Sequence, residues 1–289
     1  MYVIAGVTGR VGSAVAEALL SEGADVRVLV RSEAAGAGWR ARGADGHVVD
    51  LADRGGLADA LRGAAGFFTL LPFDLTTDNV AAHARKLTDS ISGAVHDARV
   101  PHVVMLSSIG ADLSEGTGPI TGLYHLEQAL AVTGTTVTAM RAGHFQEKII
   151  DVIDTARSTG VYPVFGRSAD VAMPMIATAD LGEIAARALL DPPSESETVD
   201  AIGPNYTERE AAGLLGRALG TTLEVVTLPQ SAWVPALTEA GFPGHIADSL
   251  AELYHADDIG LLVPRGDRQV LGATALDVTI DRLLAPSAA

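Results

Sequence analysis

The chain has 289 residues, 48% hydrophobic and 19% charged, with no cysteine and a formal net charge of −16 from 36 acidic and 20 basic residues. This is a globular composition for one large unit or a large and a small one, and the missing thiol excludes disulfides, iron–sulfur clusters, thiolate zinc sites and cysteine nucleophiles. The negative field argues against a nucleic-acid partner, no apolar run reaches the ~20 residues of a membrane helix, and residues 2–5, reaching a glycine turn at Gly6, read as a buried strand rather than a leader, so a cytoplasmic location is expected.

Apolar runs at residues 2–5, 25–30, 46–49, 66–71, 102–107 and 136–141 predict six strands. Amphipathic stretches at 11–22, 33–42, 54–61, 77–98 and 122–132 predict the helices between them. Continuously apolar strands alternating with helices indicate a parallel sheet covered on both faces. Gly23 stands where a left-handed residue ends the first helix. Thr77 or Asp78 is placed to cap the fourth, and Pro101 keeps it from running into the fifth strand. In the second half, 160–165 reads as an edge strand because it contains Pro163. A helix at 180–190 and a strand at 198–202 follow, with a surface turn at 191–197 between them. Thr207 and Glu210 form a capping box for a helix at 207–219. A strand at 223–228, mostly helical chain from 230 to 262 and a helix at 277–284 complete the pattern.

The strongest signal is Gly6-Val7-Thr8-Gly9-Arg10-Val11-Gly12, immediately after the first strand and opening the first helix. Gly6 permits the tight turn, Gly9 lets a pyrophosphate approach the backbone, and Gly12 lets helix and strand pack closely. The positive helix end then faces the phosphates. The predicted fold is therefore α/β: a Rossmann-type doubly wound parallel sheet over residues 1–155, with a smaller mixed α/β C-terminal substrate lobe over 156–289. Parts of 176–203 are expected to return to the first sheet.

The spacing is GxxGxxG, and it resembles the short-chain dehydrogenase/reductase superfamily in its extended and atypical branches. The chain is similar in particular to the NmrA-like group, through VIAGVTGRVG, VRVLVRS, HVVDLAD, VVMLSSIGA, LEQALAVTGTTVTAMRAGHFQEKI and MIATADLGEIAARALLD. That group includes NADPH-dependent quinone reductases and non-enzymatic redox sensors. The resemblance implies that Asp50 and Leu51 lie against an adenine; the residues alone equally allow Asp50 to cap the helix near Arg54. It implies that Thr69, Leu70 and Leu71 lie along the ribose and nicotinamide side, and that the loop from Arg141 to Phe145, including Gly143, lies against the nicotinamide.

Cofactor choice follows from residues. NAD-binding units place a carboxylate at the end of the second strand, and here Val30-Arg31-Ser32 has none. Arg31 suits a 2′-phosphate and Arg10 can approach from the other side, so NADP(H) is expected. Typical superfamily members carry a Tyr-x-x-x-Lys pair. None of the five tyrosines has a lysine four residues on, and Leu123 stands where the resemblance often places a lysine, four residues before Glu127. Without that pair, chemistry is restricted to an acceptor that is already electrophilic.

The remaining candidates lie near the carboxyl edge of the sheet. Ser107 or Ser108 can bond a carbonyl, and His144 has the ordinary pKa of a proton donor near neutrality. Tyr124 and His125 sit on the helix that normally carries the dyad, and helical spacing does not decide between them. Phe73, Ile109, Phe145, Met175, Trp233 and Tyr254 are the apolar candidates for a substrate wall, with burial in the core as their alternative. His144 and Glu147 share a helical spacing but do not make a metal site, and none is expected. Two functions fit. One is an NADPH-dependent reductase of a quinone or polycyclic aromatic ketone, such as a natural-product tailoring step. The other is a non-catalytic NADP(H) sensor that binds a partner protein. Oligomeric state is not legible.

Overall fold

The computed structural model describes residues 1–285. Its first half alternates strand and helix: β1 (Tyr2–Ile4), α1 (Arg10–Ser21), β2 (Val26–Val30), α2 (Glu33–Arg40), β3 (Asp45–Val48), α3 (Arg54–Leu61), β4 (Gly66–Leu70), α4 (Val80–Ala98), β5 (His102–Ser108), α5 (Ile120–Ala131) and β6 (Thr136–Ala142). The second half runs β7 (His144–Phe145), a 3-10 turn (Gln146–Ile149), α6 (Ile150–Thr159), β8 (Val161–Val164), β9 (Met173–Ile176), α7 (Thr178–Leu190), β10 (Glu197–Ile202) and β11 (Asn205–Tyr206). It ends with α8 (Glu208–Leu219), β12 (Glu224–Thr227), α9 (Gln230–Glu239), α10 (Gly244–Asp258), β13 (Arg268–Leu271) and α11 (Leu276–Leu284).

Eight strands form one sheet in the order β13-β10-β6-β5-β4-β1-β2-β3. Every pairing is parallel. The central strands are apolar on both faces because both faces are covered: Val3, Ile4, Phe67, Phe68, Val103 and Val104 are fully buried. One core packs Val15, Leu19, Leu181 and Leu189 of α1 and α7 against the sheet. The other packs Leu57, Ile91, Val95, Leu126 and Leu130 of α3, α4 and α5 against the opposite face. At the α1–α7 crossing an added Cβ on Gly182 would lie 2.3 Å from the Ala14 Cβ, so the missing side chain sets how closely the helices nest.

The structure differs from the sequence expectation in three respects. Helix α4 starts at Val80, because Asn79, not Thr77 or Asp78, accepts the Ala82 N–H at 2.9 Å. Strand β13 carries no apolar alternation, being an edge strand held by parallel pairing to β10 and by Arg268 on Glu197 at 2.7 Å. Strands β7, β9 and β11 are too short for periodicity to reveal, and they pair with one another in a small sheet.

The rest of the C-terminal half is mixed. β8 and β12 pair in parallel, so Pro163 sits in a strand with a free side. The Thr207–Glu210 capping box forms as expected. Ile149, Ile153, Tyr162, Met175, Leu215 and Ile280 make a separate core. The helices α9 and α10 lie over the carboxyl edge of the large sheet. The His245 ring bonds the Thr77 carbonyl at 2.7 Å. An added Cβ on Gly118 would meet the Ser249 carbonyl oxygen at 2.1 Å. Among the described residues no helix is long and apolar enough to cross a membrane.

Candidate active site

A groove of about 320 Å³ opens where the strand order reverses, between β1 and β4. This is the place where open α/β sheets bind ligands. One wall is the glycine loop with Leu70 and Leu106, and the other is Phe145, Glu147, Lys148, Ile150, Asp151 and Thr178.

The loop follows from its glycines. Gly6 has φ +71°, and a Cβ there would come within 2.5 Å of Leu70 Cδ2. Gly9 is the N-cap of α1 and has no side chain to satisfy the first N–H groups, and no acid stands in the first turn. Those donors and the helix dipole point into open groove, and a dinucleotide pyrophosphate fits that donor set. A Cβ on Gly9 would meet nothing nearer than the Gly6 oxygen at 3.4 Å, so the protein itself leaves that space free.

The opposite wall is tied down by buried polar groups. Glu147 accepts the Thr178 N–H at 3.0 Å and its hydroxyl at 2.7 Å, capping α7 from outside the helix. Gln146 donates to the Met175 and Thr274 carbonyls at 3.1 and 2.8 Å. The turn carrying Lys148 is thus fixed to α7, β9 and the segment before α11. Lys148 projects from it and pairs with Asp151 at 3.1 Å.

The structure brings Gly6, Gly9, Arg10, Val11, Gly12, Leu70 and Phe145 to the groove. Thr8 and Arg10 are exposed beside it, while Val11 buries its side chain beneath the loop. Arg31 is exposed at the end of β2. It helps hold the Asp74 carboxyl below its ordinary range, after the hydroxyl and N–H of Thr76 and after His83. Asp50 is exposed and accepts the Ala52 N–H at 2.9 Å, while Asp53 caps α3, so the capping alternative for Asp50 does not hold. Leu51 packs against the core on the α3 side.

Strand alternation removes other candidates from the groove. Leu70 lines it, so Thr69, its neighbour, faces the opposite side and is fully buried. Leu71 packs against that same core. Leu106 lines the groove, which puts Ser108 on its side of β5 and Ser107 on the other. Ser107 donates to Glu127 at 2.6 Å, and Arg141 bonds the same carboxylate at 2.6 and 3.1 Å. Glu127 and Arg141 are buried, and their pairing keeps the Arg141 guanidinium charged despite burial. Ser108 donates to the Ile109 carbonyl, and Ile109 is itself buried. Gly143 sits where a Cβ would approach the Pro174 oxygen to 2.9 Å. On α5, Tyr124 is half-buried and His125 exposed.

The expected substrate wall is partly core. Trp233 is 1% exposed, donates its indole N–H to the Leu228 carbonyl at 2.8 Å and so supports the lobe from inside. Met175 is buried in the lobe core. Phe73 is exposed in the loop after β4. Tyr254 is half-buried, stacks on Phe165 at 4.9 Å and meets Trp233 edge-on at 6.4 Å. His144 and Phe145 are successive residues of β7, so Phe145 takes the groove side and His144 the lobe side. There the His144 Nε2 lies 3.3 Å from Asp257 Oδ1. Sequence reasoning missed Lys148, Ile150, Asp151 and Thr178. Only their nearness to the Gly143–Phe145 segment or to the start of α7 pointed to them.

Comparison with known proteins agrees with this fold. An NAD(P)H azoreductase of Xenophilus azovorans is 28% identical over 256 residues, 88% of this chain and 86% of that one. An NADPH-dependent quinone oxidoreductase of Escherichia coli, solved with NADPH, superposes with a TM-score of 0.83 at 22% identity, covering 99% of this chain and 100% of that one. A triphenylmethane reductase of Citrobacter sp., solved with NADP(H), superposes with a TM-score of 0.81 at 18% identity, covering 98% and 100%. The profile of the NmrA-like family matches residues 2–260, and the chain belongs to that family.

Proposed function

We propose that this protein is an NADPH-dependent reductase that delivers hydride to a quinone, an azo compound or a related conjugated aromatic acceptor. The observation that carries the reading is the groove itself. A free helix N-terminus and three glycines, with Leu70 and Leu106 beside them, face the apolar Phe145 across one space. Bound NADPH would supply the hydride. Gly6, Gly9, Arg10 and the first N–H groups of α1 hold its pyrophosphate, and Arg31 its 2′-phosphate. Phe145, Leu70 and Leu106 give the reacting end an apolar wall that keeps water out. The names of the azoreductase, quinone oxidoreductase and dye reductase relatives support the same acceptor class.

The absence of a Tyr-x-x-x-Lys pair narrows the acceptor. A quinone or azo bond is already electrophilic, and its reduced anion is delocalised, so positioning supplies most of the acceleration. A saturated ketone would yield an alkoxide with no such relief. Polycyclic aromatic ketones, including those formed in natural-product tailoring, lie within the proposed class. The test is NADPH oxidation against mono- to tetracyclic quinones and azo dyes, with cofactor binding followed separately by fluorescence. Turnover of conjugated acceptors is expected. Tight NADPH binding with no turnover of any of them would move the protein to the sensor class.

A further inference from the structure

Two helices begin at the groove, and the protein closes the start of only one of them. Arg10 is the first residue of α1 and Thr178 the first of α7, and both line the groove. The helices meet where Gly182 nests on Ala14, four residues in from each start. That is about one helical turn, so the two N-termini lie side by side. They differ in what satisfies them. The Glu147 carboxylate accepts the Thr178 N–H and hydroxyl, so α7 already has an anion at its start. Gly9 offers α1 none.

Lys148 follows Glu147 directly in the far wall, and its neighbours fix where it points. Glu147 is tied to Thr178, Gln146 to the Met175 and Thr274 carbonyls, and Ile149 is buried in the lobe core. The side chain of this turn left free to reach into the groove is Lys148. Through Glu147 and the α1–α7 contact, its backbone is held close to the start of α1. The ammonium pairs with Asp151 at 3.1 Å, and the two side chains are 64% and 59% exposed. An ion pair that open adds little to stability, so it does not brace α6 and is easily exchanged.

The lining includes Arg10 and Lys148 as cations and Glu147 and Asp151 as carboxylates. A pyrophosphate adds further negative charge beside those carboxylates, in a chain of net charge −16. Arg10 stands on the glycine-loop side, and Lys148 is the cation facing it from the other wall. A lysine ammonium is a point charge on a flexible stem, which suits it to leave a carboxylate for a phosphate.

We infer that Lys148 is a phosphate-binding residue whose ammonium crosses the groove to the pyrophosphate at the start of α1, exchanging Asp151 for it. This rests on the reading of the groove as the NADPH site. The pyrophosphate is then gripped from both walls, by Arg10 and the α1 N–H groups on one side and by Lys148 on the other. Asp151 competes for the same ammonium and so moderates the grip. An anionic substituent on the acceptor is the alternative partner, and the nearness of Lys148 to the α1 start favours the pyrophosphate.

The experiment titrates wild type, Lys148→Gln, Lys148→Arg, Asp151→Asn and the Lys148→Gln/Asp151→Asn double variant by calorimetry. The probes are NADPH, NADH and adenosine 2′-phosphate, which lacks the pyrophosphate. Lys148→Gln is expected to weaken NADPH and NADH by the same factor, about tenfold for one charged hydrogen bond, and to leave adenosine 2′-phosphate unchanged. Lys148→Arg is expected to keep most of the affinity. Asp151→Asn is expected to tighten both dinucleotides severalfold, and the gain is expected to vanish in the double variant. Urea midpoints are expected to stay at the wild-type value, which separates a lost contact from a damaged fold. Unchanged dinucleotide affinity in Lys148→Gln, or an equal loss for adenosine 2′-phosphate, would overturn the assignment. Unchanged cofactor affinity with a raised KM for a quinone would overturn it in favour of the acceptor. A gain from Asp151→Asn that persists in the double variant would overturn the exchange. The tenfold loss in Lys148→Gln, found together with no turnover of any acceptor by wild type, would uphold the phosphate contact while the reductase reading fails.

Discussion

Gly12 stacks directly on Gly6: a Cβ added to Gly12 would fall 2.4 Å from the Gly6 carbonyl oxygen, whereas one added to Gly9 would stand 3.4 Å from that atom. Two glycines of one motif therefore answer to different constraints. Gly12 is required by the protein, and Gly9 by what enters the groove. Gly9→Val is expected to abolish NADPH binding while thermal stability stays near wild type. Gly12→Ala is expected to cost about 1–3 kcal/mol of stability by overpacking. Parallel denaturation and cofactor titration separate the two. Wild-type binding in Gly9→Val would place the phosphates elsewhere.

Arg31 stands at the end of β2 without a carboxylate beside it in sequence. Arg31→Asp replaces the proposed 2′-phosphate partner with a like charge. The loss for NADPH is expected to be on the order of 1.5–3 kcal/mol, with NADH nearly unaffected. Equal changes for both cofactors, measured by fluorescence titration, would remove Arg31 from that role.

Glu127 is held by Arg141 and Ser107 inside the protein. Glu127→Ala would leave a buried guanidinium without its counter-charge, at a cost of about 3–5 kcal/mol. Urea unfolding measures it. A change below 1 kcal/mol would mean that water reaches Arg141 and compensates.

The sheet was legible in the sequence because strands buried on both faces are written as apolar runs, and the glycine loop because its turn and packing demand specific residues. Boundaries depended on finer choices, as in the start of α4, where Asn79 rather than Thr77 or Asp78 takes the Ala82 N–H. The lobe side of the site was not legible. His144 meets Asp257 only because α10 folds back over β7, and no local pattern encodes that contact. Trp233 shows the converse: an aromatic residue reads alike as wall or core, and the Leu228 carbonyl that satisfies its indole N–H comes from tertiary structure.

Tyr124 lies half-buried on α5 with no lysine one turn on. If the acceptor needs no tyrosyl acid, Tyr124→Phe is expected to cost less than about tenfold in kcat, below the roughly 10²–10⁴ of a general acid. Steady-state rates with a fixed quinone check this. A collapse of kcat in Tyr124→Phe would show that the proton comes from α5.

The most direct test of the reductase account is stopped-flow oxidation of NADPH by the wild-type protein, with a quinone and a saturated ketone offered in parallel. The account predicts rapid, saturable oxidation with the quinone and none above background with the ketone, because only the conjugated acceptor stabilises its own anion. Equal turnover of the saturated ketone would contradict it.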